Sequence, residues 1–153
     1  MSLETNNLQG QYEPSPSDRV REQVARYEAT DGKEGGTLDG RPVVILTTQG
    51  AKSGKIRKTP LIRIEQDGTY AVVASAGGAP RHPRGRHNVT AQPLVQVQDG
   101  EKIQWMRARE LSGEEKTRWW TVADARWPHS PEYRATAHRD IPILVLEPAP
   151  GPE

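Results

Sequence analysis

Val20, Val24 and Tyr27 stand at i, i+4 and i+7 behind Ser17 and Asp18. That spacing predicts one apolar helix face, with a serine N-cap and an acid in the first turn. Asp31-Gly32 should stop the helix, and Gly32, Gly35 and Gly36 make a loop after it. Pro42 to Thr48 is an unbroken, largely β-branched run, which predicts a fully buried strand. Gln49 to Lys55 reads as a turn, and Ile56 to Glu65 resumes an extended pattern. Asp67-Gly68 signals a hairpin into a strand over Tyr70 to Ser75. Ala76 to Arg86 is a loop rich in Gly, Pro and Arg, and Asn88 to Gln92 a short helical turn. Leu94 to Val97 is a strand that Asp99-Gly100 turns back into Ile103 to Arg109. Ser112-Gly113-Glu114-Glu115 is a capping box for a helix running to about Arg126. Pro131 to His138 suggests a further short helix, and Ile141 to Glu147 a last strand.

Helix, several strands, helix, strand, joined by short connections and two Asp-Gly turns, favours antiparallel pairing. The expected fold is α+β, a small antiparallel β-barrel with flanking helices. Residues 1–16 are polar, with Pro14 and Pro16, and are expected to form a flexible tail. Residues 17–148 would be the folded domain and 149–153, bounded by Pro148, Pro150 and Pro152, a C-terminal tail.

Composition narrows the class. Leu, Ile, Val and Phe are only 27 of 153 residues, thin for a core, yet the net charge is +1, so the chain is a folded domain rather than a disordered one. No apolar run is long enough to span a bilayer. The opening MSLETNNLQG has no basic n-region and no apolar h-region, so no signal peptide is expected and the expected compartment is the cytoplasm. The absence of Cys excludes disulfides, thiolate metal sites and cysteine nucleophiles. Near-neutral charge argues against a protein built mainly to bind nucleic acid.

Three segments carry candidate chemistry. Gly50 to Pro60 holds four basic residues, two turn glycines and no acid. Backbone N–H groups of such a turn, with Lys and Arg beside them, form an anion site suited to phosphate; a solvated hairpin tip is the plainer alternative. It is not a P-loop, because only three residues separate the glycines and Ile56 follows Lys55. Ser75 to Asn88 leaves a strand end with small residues, three Arg and two His. The small residues let a flat ligand approach the backbone, while Asn88 can equally be a helix cap. His82 and His87 lack a nearby carboxylate partner, so no metal site is expected. Trp119, Trp120, Trp127 and Tyr133 lie within fifteen residues and serve either as core or as an aromatic wall over a planar ligand.

The ordered set of motifs resembles the deazaflavin-dependent nitroreductase family. It comprises Val43 to Thr48 followed by G-A-K-S-G-K-x-R-x-x-P-L, then V-A-S-x-G-G-A-P-x-H-P and His87-Asn88, Gln92-Pro93, and the closing R-D-I-P-I-L-V-L-E-P. The resemblance covers about residues 35–148 and implies a split β-barrel related to flavin-mononucleotide-binding barrels. It implies coenzyme F420, an 8-hydroxy-5-deazaflavin, as cofactor, and reduction of quinones and nitro compounds by the reduced coenzyme. Carried over position by position, Lys52, Ser53, Arg57, Thr59 and Pro60 would hold the coenzyme's phosphate and glutamate tail, with Lys58, Leu61 and Ile62 among the expected cofactor-binding residues. Val73, Ala74, Ser75 and Ala76 would back the deazaflavin ring, and Arg84, Arg86, His87 and Asn88 would flank the phosphate end. Trp127, Ser130 and Tyr133 would line the substrate side.

Three positions depart from the family pattern. Gly85 and Arg86 replace an aromatic pair, Ala76 stands where relatives carry Lys, and Ser130 stands in place of a tyrosine. The chemistry implied is hydride transfer, with the Ser75 and Tyr133 hydroxyls as candidate donors to a developing oxyanion. The partner implied is a small electron acceptor, a quinone or nitro compound. Flavin mononucleotide in the same barrel is the second reading, but the basic 52–58 stretch is longer than one phosphate needs. A non-catalytic barrel binding an anionic ligand or nucleic acid is the third, but no aromatic residues interleave the basic segments. Arg19, Arg21 and Arg26 make the first helix compatible with peripheral contact to anionic lipid, although docking on the barrel is the simpler use of its apolar face.

Overall fold

The computed structural model describes residues 11–38, 40–49, 55–73, 94–126 and 142–151. Helix α1 (Asp18–Thr30) begins where expected, with the Ser17 side chain accepting the Val20 N–H at 3.3 Å. It ends on a left-handed Asp31, and the Gly32 N–H bonds back to the Tyr27 carbonyl at 2.8 Å. The strands are β1 (Thr37–Leu38), β2 (Arg41–Gln49), β3 (Ile56–Ile62), β4 (Glu65–Gln66), β5 (Thr69–Val73), β6 (Leu94–Asp99), β7 (Lys102–Glu110) and β8 (Ile143–Pro148). Helix α2 (Gly113–Arg126) lies between β7 and β8.

All ladders are antiparallel, in the order β1-β2-β6-β7-β8-β5-β4, with β3 on the other side of β2. The sheet curls into a half-barrel. Its interior holds Val44, Leu46, Tyr70, Val95, Val97, Met106, Leu144 and Leu146. Strands β2 and β8 are buried on both faces for a simple reason. Val44 and Leu46 point inward, while Val43 and Ile45 lie under Val24 and Tyr27 of α1. Leu144 and Leu146 point inward, while Ile143 and Val145 lie under Trp120 and Ala123 of α2. The apolar stripe of α1 is therefore turned to the barrel.

Three local expectations shift. Asp67 and Gly68 both have positive φ, as a two-residue I′ turn requires, but the β6–β7 turn is Gly100-Glu101, one residue later than expected, because Asp99 pairs with Lys102. Glu115 does not serve a capping box: both its oxygens accept from Arg109, at 2.8 and 2.9 Å. Residues 11–13, expected within a loose tail, run parallel to the start of β3. Glu13 N–H donates to the Ile56 carbonyl and Ile56 N–H to the Gln11 carbonyl, each at 2.8 Å. At the other end the Ala149 N–H bonds to the Trp105 carbonyl at 3.1 Å, so the chain beyond β8 also begins fastened.

Candidate functional site

Strand directions gather the candidate segments. β2 ends at Gln49 opposite Ile56, where β3 starts; β5 ends at Val73 opposite Ile143, where β8 starts; β6 starts at Leu94 opposite Arg107. These ends share one rim of the half-barrel. The chain leaves the described sheet there at Gln49 and Val73 and re-enters it at Ile56, Leu94 and Ile143. The described strand ends on either side of 50–54 and of 74–93 therefore lie at one end of the half-barrel. Helix α2 starts near this rim and finishes at the other, where the Arg126 carbonyl accepts from Arg41 at 3.2 Å.

Among the described residues no ladder joins β3 to β5. They border a seam in the sheet, closed beyond the end of β3 by the Ala71 N–H on the Ile64 carbonyl at 2.8 Å and otherwise lined by side chains: Leu61 and Val72 pack on the interior cluster, Ile62 and Val73 on the cluster under α2. A seam between strand edges leaves backbone groups for a ligand to pair with.

Alternation along β3 divides the predicted binding residues between two faces. Arg57, Thr59 and Leu61 share the face that continues inward to the core; Lys58, Pro60 and Ile62 share the face beneath α1. Side chains of 57–62 therefore do not act as one continuous cradle. Thr59 is exposed and Pro60 half-buried. Lys58 is engaged elsewhere, 2.5 Å from Glu28 of α1 and 5.2 Å from the centre of the Tyr12 ring. Arg57 is the predicted cation whose guanidinium is described on the inward-leading face.

Arg57 and Lys55, two apart on β3 and the residue before it, share one carboxylate. Glu13 meets Arg57 at 2.7 Å and Lys55 at 3.1 Å, one oxygen to each. The Lys55 hydrogen bond first, and the Arg57 charge after it, hold the Glu13 carboxyl below its ordinary range. Burial, and then the Glu28 charge, raise the Tyr12 phenol. Glu13 and Glu28 went unnoticed in the sequence because no short-range spacing links them to Arg57 and Lys58. The run 50–60 contains no acid, and its acids come from outside it.

The opposite rim is closed. Asp99 accepts from the Tyr70 hydroxyl at 2.5 Å and from Arg63 at 2.9 Å. Burial and that hydrogen bond push the Tyr70 phenol up; burial works to lower Arg63, but the Asp99 hydrogen bond and the charges of Asp99 and Glu65 together raise it. The Tyr27 hydroxyl accepts the Gly100 N–H at 2.7 Å and points between the carbonyls of Val43 and Gln98.

Lys52, Ser53, Ala74, Ser75, Ala76, Arg84, Arg86, His87, Asn88, Trp127, Ser130 and Tyr133 lie outside the described residues. Among the described residues no group of three or more His, Asp or Glu could hold a metal ion, and no helix is long and apolar enough to cross a membrane.

Residues 19–148 match the family model described as F420H(2)-dependent quinone reductase. An F420H(2)-dependent quinone reductase of Mycobacterium tuberculosis is 32% identical over 126 residues, 80% of this chain and 85% of the relative. A solved F420-H2 dependent reductase (FDR-A) is 48% identical, with a TM-score of 0.62 over 70% of this chain and 95% of that one. Another solved structure, described as a domain-swapped dimer, is 47% identical, with a TM-score of 0.63 over 87% of this chain and all of that one. The curled antiparallel sheet with the two described helices matches the split-barrel fold of the FDR-A reductase.

Proposed function

Because the chain belongs to the F420H(2)-dependent quinone reductase family, we propose that it passes a hydride from reduced coenzyme F420 to a quinone at the open rim of the half-barrel. Membership makes it an F420-dependent oxidoreductase; the acceptor and the residue roles are inferred from its own chemistry. The observation that supports the reading is that the described strand ends Gln49, Ile56, Val73 and Leu94 share one rim, with Arg57 on the inward-leading face of β3 beside it. The donor set fits the coenzyme. Its tail carries a phosphate and glutamates, and the rim offers Lys55 and Arg57 on one side.

Bound in its reduced form, the coenzyme supplies the hydride. Arg57, with Lys52 and Ser53 beside it in the chain, binds phosphate and carboxylate. Arg84, Arg86, His87 and Asn88 close the charged end. Val73 and the small residues Ala74, Ser75 and Ala76 flank the ring. Leu61 and Ile62 anchor β3 through the core, Thr59 follows Arg57 on the inward-leading face, and Lys58 and Pro60 contribute backbone or the outer face. Trp127, Ser130 and Tyr133 border the acceptor, and Ser75 or Tyr133 donates to the oxygen on which charge develops. Ser in place of a tyrosine at 130 widens this side, favouring a bulky quinone over a bicyclic nitroimidazole.

Titrating the full chain with F420 and with flavin mononucleotide, followed by the fluorescence of its four tryptophans, tests the cofactor. Binding of F420 and anaerobic oxidation of its reduced form by menadione are expected. Binding of flavin mononucleotide alone would reject the reading.

A further inference from the structure

The segment 11–13 sits against β3 in a way that suits displacement. It is held by two backbone hydrogen bonds, by Glu13 on Lys55 and Arg57, and by Tyr12 against Lys58. It has no buried apolar anchor: Tyr12 is 42% exposed, one of two large hydrophobic side chains left exposed among the described residues. Ion pairs this exposed contribute little each, are screened by salt and exchange readily. The group Glu13 presents is a carboxylate, the same group a glutamate tail would present to the same two cations. Two cations sharing one carboxylate, each through a separate oxygen, form a complete anion site whose present occupant belongs to the chain.

We propose that Glu13 is an internal counter-anion of the coenzyme groove. Its carboxylate holds Lys55 and Arg57 until the anionic tail of the coenzyme takes its place, and coenzyme binding then frees residues 11–13 from β3. The proposal rests on the reading that Arg57 contacts the tail. It makes Glu13 a determinant of coenzyme affinity that opposes binding, and it ties the position of the N-terminal segment to occupancy of the groove. The exchange is one of charge for charge, so nothing at the closed rim needs to move.

The test uses the full chain, its Glu13→Gln and Arg57→Ala variants, and two probes. One is F420 with its glutamate tail; the other is a deazaflavin lacking phosphate and glutamates. Glu13→Gln should bind F420 about two- to fivefold more tightly, the scale an exposed ion pair can exert, and bind the tail-less probe unchanged. Amide hydrogen exchange at Glu13 and Ile56 should speed up on adding F420, and also in Glu13→Gln without ligand. Weaker F420 binding by Glu13→Gln would make Glu13 a positioning residue for Arg57 and overturn the proposal. Unchanged binding, or slower exchange at Glu13 and Ile56 with F420, would overturn it too. If Arg57→Ala binds F420 as tightly as the parent, the groove assignment itself has failed. If Arg57→Ala loses affinity while Glu13→Gln matches the parent, only the counter-anion has failed. No F420 binding by the parent removes both.

Discussion

The two rims of the half-barrel are built from the same strands but solve opposite problems. At the closed rim the connections are two-residue turns, Asp67-Gly68 and Gly100-Glu101, with the positive φ angles such turns need. Its charges are matched in place: Tyr70 and Arg63 converge on Asp99, and the Tyr27 hydroxyl serves α1, β2 and the β6–β7 turn at once. At the open rim the chain departs for six residues after Gln49 and for twenty after Val73 before the sheet resumes. The cations there are partly exposed and share a carboxylate from a segment with little buried area. Register and stability are thus concentrated at one end. The other end is free to exchange partners, which is what a site for a charged cofactor needs.

That contrast is broken most directly at Asp99. Asp99→Ala removes the acceptor of the buried Tyr70 phenol and the nearer of two carboxylates from the half-buried Arg63 guanidinium, which keeps Glu65 at 3.5 Å. It should lower unfolding free energy by about 2–4 kcal/mol in a urea titration. F420 affinity measured on the folded fraction should stay within about twofold of the parent. A loss of affinity equal to the loss of stability would mean that the two rims are coupled. Arg57→Ala is the reciprocal case. Its urea midpoint should hardly move, while F420 binding weakens by about 1.5–3 kcal/mol, the scale of hydrogen bonds to charged groups. Tyr27→Phe comes next. Only an oxygen is removed, but the Gly100 N–H loses its partner inside the structure, so about 1–2 kcal/mol of stability should go, with coenzyme binding intact.

How far the sequence could be read follows the same division. Elements set by local pattern were legible: the α1 stripe with its Ser17 cap, the doubly covered β2, the Asp67-Gly68 turn, the helix to Arg126. Each depends on neighbours a few residues apart, where period and turn chemistry act. The β6–β7 turn falls one residue later than Asp99-Gly100 places it, because Asp-Gly is a generic signal and Asp99 is instead held in the ladder by its pairing with Lys102. Glu115 fits a capping box by spacing, yet Arg109 on β7 offers it a bidentate partner. The strap at 11–13 had no local signature at all. Gln11, Tyr12 and Glu13 show no alternation, and the partner of Glu13 is 44 positions away. The basic run of the site was legible from charge alone. Its division between two faces of β3, and the acids that occupy it, were not, because they depend on which strand edge and which helix lie alongside.

The smallest effect separates fastening from function. Glu115, like Glu13, is a carboxylate held below its ordinary range by a basic partner: Arg109 donates to it at 2.8 and 2.9 Å and also reaches Glu147 at 3.2 Å. A carboxyl whose value is depressed on folding adds stability that is fully present above its unfolded value. That stability is lost as pH falls through the lower, folded value. The same sign applies to Glu13. Both pairs lie at the surface, so each contribution is small and shrinks as salt is added. Glu115→Gln should therefore melt slightly below the parent at neutral pH in low salt. The two should converge at acid pH and in high salt. The two acids part company when F420 is added at neutral pH. The Glu115 carboxyl, followed by its carbon-13 chemical shift through an acid titration, should keep its depressed value, because Arg109 faces β8 and α2 rather than the seam. The Glu13 carboxyl should move up toward the ordinary carboxylate value as the tail takes its cations. Equal responses of the two carboxyls would mean that the coenzyme acts through general screening, and the division between a fastening end and an exchanging end would no longer hold.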